Sequence, residues 1–241
     1  MFFKNGDVYE GQIIKGMAHG LGICKYSNGD EYQGYWIQDQ RHGKGLLQYN
    51  NGGSYYGKWA YNKKHGQGTN IFRNGDKYQG QWYNNQKDGE GILQSNNGFS
   101  YKGTWSYNEQ HGFGKFVYSD GRIYIGHCRY NKKHGHGEMY YTNGSVYKGQ
   151  WHEDKCDGKG AIYTREGAII KGVWLYGNII SKIGDFPFKG EPDQEFPELN
   201  DFVAINESEG KFKDEFFDQK TQASDNELSD DKKATNRLSD E

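Results

Sequence analysis

The sequence predicts an all-β protein, an elongated antiparallel array of β-hairpins that ends in an irregular acidic tail. A unit of 23 residues returns about seven and a half times without insertion or deletion, and each unit shows the alternation of two strands. Four fixed unit positions hold 29 of the 36 glycines. Aromatic side chains make up 16% of the 241 residues, whereas disordered chains are poor in them. We therefore expect the units to stack, since no single unit can bury its own aromatic side chains.

Each unit opens with a strand of the pattern Tyr-x-Gly-x-Trp. Unit positions are counted from this tyrosine, which is Tyr9 in the first unit and is replaced by Ile170 in the last. Because side chains alternate along a strand, positions 1, 3 and 5 share one face, and we expect them to form the core. The predicted core residues are Tyr32, Gly34, Trp36, Tyr55, Gly57, Trp59, Tyr78, Gly80, Trp82, Tyr101, Gly103, Trp105, Tyr147, Gly149 and Trp151.

A polar turn and a second strand complete the predicted hairpin. The turn is expected at segments such as Asn62-Lys63-Lys64, and the strand after it carries His-Gly-x-Gly at positions 11 to 14. Asn-Gly or Asp-Gly follows, as at Asn74-Gly75, and such pairs are the strongest short signal for a hairpin turn. Two strands and two turns fill the 23 residues and leave no room for a helix.

The charge pattern changes near residue 185. Residues 1–190 carry 24 basic and 16 acidic side chains, whereas residues 191–241 carry 6 basic and 16 acidic ones, so the net charges are +8 and −10. Such asymmetry is typical of a basic binding body with an acidic tail. We predict a hairpin array over residues 1–184, a capping or docking extension over residues 185–220 and a disordered acidic tail over residues 221–241.

The unit resembles the MORN repeat (membrane occupation and recognition nexus), whose pattern is Tyr-x-Gly-x-Trp followed by His-Gly-x-Gly. Tyr55-Tyr56-Gly57-Lys58-Trp59 with His65-Gly66-Gln67-Gly68 carries both motifs, and the resemblance covers about residues 4–178. It implies an elongated hairpin array. MORN arrays occur beside plant lipid-kinase domains, where binding of acidic phospholipids was proposed, and in cytoskeletal and axonemal scaffolds such as the radial spoke head. A short array with an acidic tail and no catalytic domain is most similar to the axonemal kind.

The repeat offers no constellation for catalysis or for a cofactor. Equivalent position-11 histidines of stacked units would lie about 9–10 Å apart, too far to converge on one zinc ion. We expect a hydrogen-bonding role at strand entry for this position, which Asp88 and Asp157 also occupy. The acidic residues are scattered over turns, and the three cysteines fall at three different unit positions. We therefore predict no enzymatic activity, no metal, no cofactor and no nucleic-acid partner.

Basic residues at positions 9 and 10 form the candidate site for an anionic partner. If the turns stack, these side chains line one long edge as a cationic ladder. The ladder could meet anionic lipid headgroups, an acidic protein or the acidic tail of this chain, or it could only keep the edge solvated. Its predicted members are Arg41, Lys63, Lys64, Lys87, Lys132, Lys133 and Lys155.

Aromatic and apolar residues outside the core positions form a candidate protein-docking surface. Large amphipathic side chains on a rigid sheet are typical of protein interfaces. The alternative is that they pack across the twisted sheet. These residues are Tyr35, Tyr56, Phe113, Ile125, Tyr140 and Tyr163.

Together these features predict a non-enzymatic scaffold that docks other proteins of a larger assembly. By resemblance, the first location is intracellular, in a cilium or flagellum axoneme or another microtubule-based assembly. The alternative is a peripheral adaptor on the cytoplasmic face of a membrane that binds acidic phospholipids or phosphoinositides through the ladder. A third reading is the regulatory chain of a separate lipid kinase or methyltransferase. A transmembrane segment is not expected, because no run approaches 18 apolar residues.

Overall fold

The structure, a computed structural model, describes residues 1–182. In this part of the chain sixteen strands form one open antiparallel sheet in which each strand pairs with its neighbours in sequence, and there is no helix. The predicted fold class is confirmed, whereas the predicted extension and acidic tail lie outside the described residues. The strands are β1 (Val8–Ile14), β2 (Met17–Lys25), β3 (Glu31–Ile37), β4 (Gln40–Gln48), β5 (Ser54–Ala60), β6 (Lys63–Ile71), β7 (Lys77–Tyr83), β8 (Gln86–Gln94), β9 (Ser100–Ser106), β10 (Glu109–Val117), β11 (Ile123–Arg129), β12 (Lys132–Tyr140), β13 (Val146–His152), β14 (Lys155–Tyr163), β15 (Ile169–Leu175) and β16 (Asn178–Lys182).

The turn inside each hairpin is shorter than the sequence suggested. Strand β5 ends at Ala60 and β6 begins at Lys63, so Tyr61 and Asn62 alone form the turn, with φ angles of 49° and 66°. Positive φ at both central residues is the mark of a type I′ turn, whose twist matches that of paired strands. The expected turn at Asn62-Lys63-Lys64 is therefore wrong in its bounds, because both lysines already belong to the second strand.

The core is a column of alternating tyrosine and tryptophan rings on one face of the sheet. Trp82 contacts Tyr55 of the preceding unit and Tyr78 of its own unit edge-to-face, with ring centroids 5.4 and 5.1 Å apart. The Tyr78 hydroxyl donates to the carbonyl of Gln81 at 2.9 Å, and Trp82 Nε1 donates to the carbonyl of Gly68 at 3.1 Å. The buried rings thus keep their polar atoms paired, as burial requires.

Each tyrosine ring lies flat over a pair of glycines on adjacent strands. Gly80 and Gly91 are direct cross-strand partners in β7 and β8. A Cβ atom on Gly91 would lie 2.4 Å from the Tyr78 hydroxyl oxygen, and one on Gly80 would lie 2.5 Å from the Cα of Gly91. Side chains are therefore excluded at both positions, which explains why glycine returns there in every complete unit.

The sixth unit lacks the tryptophan of the column, and a neighbouring phenylalanine takes its place. Cys128 occupies the tryptophan position, and Phe116 fills the gap by packing between Tyr101 and Tyr124, at centroid distances of 4.6 and 5.6 Å. Tyr124 then contacts Trp151 at 5.3 Å. The aromatic column therefore continues through the sixth unit.

Gly91→Ala should destabilise the array, because the added methyl group displaces the Tyr78 ring from the backbone it covers. Overpacking of this kind costs about 1–3 kcal/mol. The neighbouring Glu90→Ala is the matched control, since Glu90 is exposed on the opposite face and its loss should change stability by less than about 0.5 kcal/mol. Urea denaturation measures both variants, and equal midpoints would contradict the packing of Tyr78 on this glycine.

Candidate binding surfaces

Four of the seven predicted ladder residues lie on the aromatic face instead of the turn edge. Each of these cations lies over the tryptophan ring of the next unit, and each side chain is at least partly buried. The expected alignment of all seven along the edge is therefore wrong for these four, because they begin the second strand and point over the column. The distances from cation to ring centroid are 4.5 Å for Arg41 and Trp59, 4.8 Å for Lys64 and Trp82, 4.0 Å for Lys87 and Trp105, and 5.4 Å for Lys133 and Trp151.

Lys64 shows how such a cation is held. Its ammonium lies 5.5 Å from the Tyr49 ring centroid and 4.7 Å from that of Tyr55, and it donates to Asn70 Oδ1 at 2.5 Å. Burial, with a smaller contribution from the Arg41 charge, lowers the pKa of Lys64 to about 8, whereas the aromatic faces favour its protonated form. Burial also lowers the pKa of Lys87. These side chains close the core and are poorly placed to meet a partner.

In six of the eight hairpin turns the second residue ties successive units together by two hydrogen bonds. Asn85 donates its backbone N–H to the Lys64 carbonyl at 3.0 Å, and its side-chain oxygen accepts the Lys64 N–H at 2.8 Å. The pair extends the sheet hydrogen bonds across the turn row and makes this edge rigid. The same two bonds join Asp39 with Ala18, Asn62 with Arg41, Asn108 with Lys87, Asn131 with Gln110, and Asp154 with Lys133.

The other three ladder residues, Lys63, Lys132 and Lys155, are exposed at the turn edge. Lys132 pairs with Glu153 at 3.4 Å, and the Lys155 ammonium lies 5.6 Å from the Tyr176 ring centroid. Acidic side chains thus interrupt the row, and the three lysines do not form a continuous cationic edge.

The face opposite the aromatic column, which we call the second face, is the more basic surface of the described residues. Strand register places positions 2, 4, 13, 15, 17 and 23 there, as in the pairs Lys102 with Lys115 and Glu138 with Lys148. Sequence analysis missed this surface, although lysines at alternating strand positions could have indicated it. At these six positions the charged residues are ten lysines, Lys25, Lys44, Lys58, Lys77, Lys102, Lys115, Lys148, Lys159, Lys171 and Lys182, and four glutamates, Glu10, Glu31, Glu90 and Glu138, for a net charge of +6.

The six candidate docking residues all lie on the second face, in two groups. Tyr35 and Tyr56 lie near the N-terminal end, where Leu46 is buried in a small apolar cluster that includes Tyr56. Phe113, Ile125, Tyr140 and Tyr163 lie on β10 to β14. Tyr35 and Tyr140 are exposed, and the other four are half-buried.

Some of these side chains also pack on the sheet itself. The Phe113 ring lies 5.7 Å from His127, and Tyr140 donates to Glu138 Oε2 at 2.6 Å. Glu138 in turn accepts a salt bridge from Lys148 at 2.8 Å. Packing across the sheet and outward exposure therefore coexist on this face.

Sequence analysis also missed a set of tyrosines at the turn edge. Tyr61, Tyr107, Tyr130 and Tyr176 occupy position 7 and are 57–70% exposed, and Tyr83 at position 6 is 54% exposed. The signal was available, since tyrosine recurs at a position where hairpin turns favour asparagine or glycine.

Position 11 braces these turn tyrosines. Its histidines contact the tyrosine of the next unit, with centroid distances of 5.3 Å for His42 and Tyr61, 5.3 Å for His65 and Tyr83, and 5.6 Å for His111 and Tyr130. Asp88 instead accepts the Tyr107 backbone N–H at 3.3 Å, and Asp157 accepts that of Tyr176 at the same distance. The expected hydrogen-bonding role of this position is seen at the aspartates, and it reaches the turn of the next unit.

The described residues contain no group of three or more His, Cys, Asp or Glu side chains that could hold a metal ion. Burial raises the pKa of Cys24, Cys128 and Cys156 to about 11, which keeps these thiols protonated near neutral pH. Within residues 1–182 no helix is long and apolar enough to cross a membrane.

Comparison with known proteins finds one matching family model and several solved structures of weakly similar fold. The family model described as MORN repeat matches residues 9–31, 32–54, 55–77, 78–99, 101–121, 124–146 and 147–164. Comparison with curated proteins finds no match.

Two solved structures illustrate the weak fold similarity. One is the SAS-4 (dCPAP) TCP domain of Drosophila melanogaster in complex with a proline-rich motif of Ana2 (dSTIL), at 14% identity over 63% of this chain and 83% of that chain, with a TM-score of 0.41. The other is the TCP10 domain of Danio rerio CPAP in complex with a peptide of Danio rerio STIL, at 15% identity over 76% and 91%, with a TM-score of 0.39.

Raising the pH from 8 to 10 should stabilise the protein relative to its Lys64→Arg variant. The pKa of Lys64 is lower in the folded state than in the unfolded chain, so the unfolded state binds more protons in this window and folding gains as the pH rises. Arginine stays protonated throughout, and Arg41 shows that it fits this position. Urea denaturation at pH 8, 9 and 10 measures the difference, and parallel curves for the two proteins would contradict the lowered pKa.

Proposed function

The chain belongs to the MORN-repeat family, and from this premise we propose that it is a non-enzymatic scaffold that docks partner proteins on its second face. One observation carries the proposal: the core rings of the aromatic face are buried within the array, whereas the second face keeps exposed aromatic and basic side chains. On the aromatic face the tyrosines at position 1 are at most 1% exposed and the tryptophans at position 5 at most 5%. Tyr35 and Tyr140 on the second face are 39% and 37% exposed.

The construction of the sheet suits a scaffold. Hydrogen bonds between neighbouring strands and between turns link every hairpin to the next, so a partner meets a preformed surface and loses little free energy in ordering it. Side chains of the same unit position recur every second strand, at about 10 Å intervals. A long partner, or several copies of a short one, can therefore be held in a fixed order along the array.

We place this scaffold in an axonemal, radial-spoke-like assembly or another microtubule-based assembly of a cilium or flagellum. The support is the resemblance to MORN scaffolds that combine a short array with an acidic tail. In this proposal residues 185–220 cap the array or dock onto it, and the acidic residues 221–241 provide a second contact. Both segments lie beyond the residues that the structure describes.

A second candidate function is a peripheral adaptor that binds acidic phospholipids. The observation that favours it is the net charge of +6 at the six strand positions of the second face. In this proposal the lipid contact is on the sheet and no longer on the ladder. Each basic residue near an acidic leaflet contributes about 1 kcal/mol. Lys63, Lys132 and Lys155 remain available at the adjoining edge.

The double variant Tyr35→Ser, Tyr140→Ser should release the tagged protein from the detergent-insoluble cytoskeletal pellet of its own cells. Both side chains are exposed on the second face, so their loss should weaken docking without loss of the fold. Phe72→Ser is the control, because Phe72 is 37% exposed but lies at unit position 18, directly after β6 and outside the second face. Retention of the double variant at the level of the control would contradict docking on this face.

The variant Lys102→Glu, Lys148→Glu, Lys171→Glu should abolish co-sedimentation with vesicles of acidic phospholipid if the adaptor function is correct. The matched control is Lys63→Glu, Lys132→Glu, Lys155→Glu, which makes the same charge change at the turn edge. Loss of sedimentation in the control alone would return the lipid contact to the edge. Failure of the unmodified protein to sediment would exclude the adaptor function and leave the scaffold proposal standing.

A further inference from the structure

Four turn tyrosines occupy a backbone conformation that tyrosine does not favour. Tyr61, Tyr107, Tyr130 and Tyr176 have φ angles between 49° and 52°, in the left-handed region, where a bulky side chain costs free energy. The fold does not require tyrosine there, because the same position in other units holds Lys15, Gln38, Asn84 and Glu153 with φ angles of 46–50°. These tyrosines are also 57–70% exposed, so their contacts with neighbouring histidines cover only part of each ring.

Four successive hairpins each present one exposed tyrosine at the turn edge, and we call Tyr61, Tyr83, Tyr107 and Tyr130 the tyrosine row. Tyr83 ends β7, directly before its turn, whereas the other three are turn residues. Glu153 interrupts the row before Tyr176. Neighbouring turns are two strands apart, which sets a repeat of about 10 Å along the edge. The hydrogen bonds between turns hold this spacing, so the row is a preformed aromatic edge.

The repeat of the row matches that of a polyproline II helix. Such a helix has three residues per turn and rises about 3.1 Å per residue, so every third side chain returns to the same face after about 9.3 Å. Proline rings in this conformation bind aromatic surfaces. Its carbonyl groups lack internal hydrogen bonds, and the tyrosine hydroxyls can donate to them.

The charge of the row and the spacing of prolines in this chain indicate which kind of proline-rich segment fits the row. Along the four turns, positions 6 to 9 carry Lys63, Arg129 and Lys132 against Glu109, and Glu153 of the next turn pairs with Lys132. A net positive charge remains, and it favours acidic residues beside the prolines. The three prolines of this chain, at 187, 192 and 197, are five residues apart and do not recur on one face of such a helix. The segment that fits the row is therefore expected in another protein and not in this chain.

We infer that the tyrosine row binds a proline-rich segment of a partner protein in the polyproline II conformation, with proline at every third residue and acidic residues between. The row consists of other residues than Tyr35, Tyr140 and the second-face lysines, so the inference does not depend on the scaffold partner or the lipid. A segment of about seven residues would place three prolines on three neighbouring tyrosines.

The test uses the full chain with Tyr107→Asn and Tyr130→Asn combined. Asparagine favours the left-handed region and already occupies this position as Asn84, so the variant keeps the turn and should unfold no earlier than the unmodified protein. Tyr176→Asn is the matched control, since it makes the same change at the same position beyond the interruption at Glu153.

The probe is a fluorescent synthetic peptide with proline at positions one, four and seven and glutamate between, and its Kd is measured by fluorescence anisotropy. We expect the double variant to raise Kd by about tenfold or more and Tyr176→Asn to change it by less than about twofold. A second peptide of the same composition, with the prolines at positions one, three and five, should bind about tenfold more weakly, because its prolines do not share one face of a polyproline II helix.

Three results would overturn the inference: equal Kd values for the double variant and the control, equal affinity for the two peptides, or no binding up to about 1 mM. Replacing the glutamates by lysines tests the charge argument, because affinity should then fall. A loss of binding by the second-face variants with the row intact would move the peptide site to that face.

Discussion

The packing of a tyrosine ring on a pair of glycines is the contact on which the rest of the structure depends. The two strands of a hairpin meet where neither has a side chain, and the ring of the first position covers that bare backbone. The tryptophan of the next unit then has a flat surface to pack against, and its indole N–H bonds the carbonyl of a glycine in the preceding unit. Each unit thus completes the core of its neighbour, which explains why the array has no independent unit.

A single-layer sheet has only one face to bury and no second layer to cover it. The aromatic column is therefore covered by side chains of its own strands, namely the cations at position 10. Their methylene stems cover the rings while the charge stays over the aromatic faces. The consequence for function is that these charges belong to the core. Basic character is instead found on the second face, where lysines alternate with apolar and aromatic side chains.

The residues that stabilise the array are thus different from those proposed to bind partners. Positions that face the column repeat almost without change, whereas the second face and the turns differ from unit to unit, as discrimination between partners would require. The turn edge combines both roles, because its asparagines bind successive hairpins together and its tyrosines project outward. A rigid edge of this kind offers a fixed spacing, and spacing is the property by which an extended peptide can be selected.

The 23-residue period, the alternation within strands and the Asn-Gly turns were enough to determine the hairpin array and its tyrosine, glycine and tryptophan core, because these signals are local and repeat many times. The sequence did not determine which face of the sheet the position-10 cations lie on, because that depends on where the turn ends. A two-residue turn puts Lys64 into the strand, and moving a strand by one residue moves every side chain to the other face. The exposure of the turn tyrosines was likewise decided by the tertiary structure, because turn conformation and the contacts of the neighbouring unit set which surface of each ring stays in solvent.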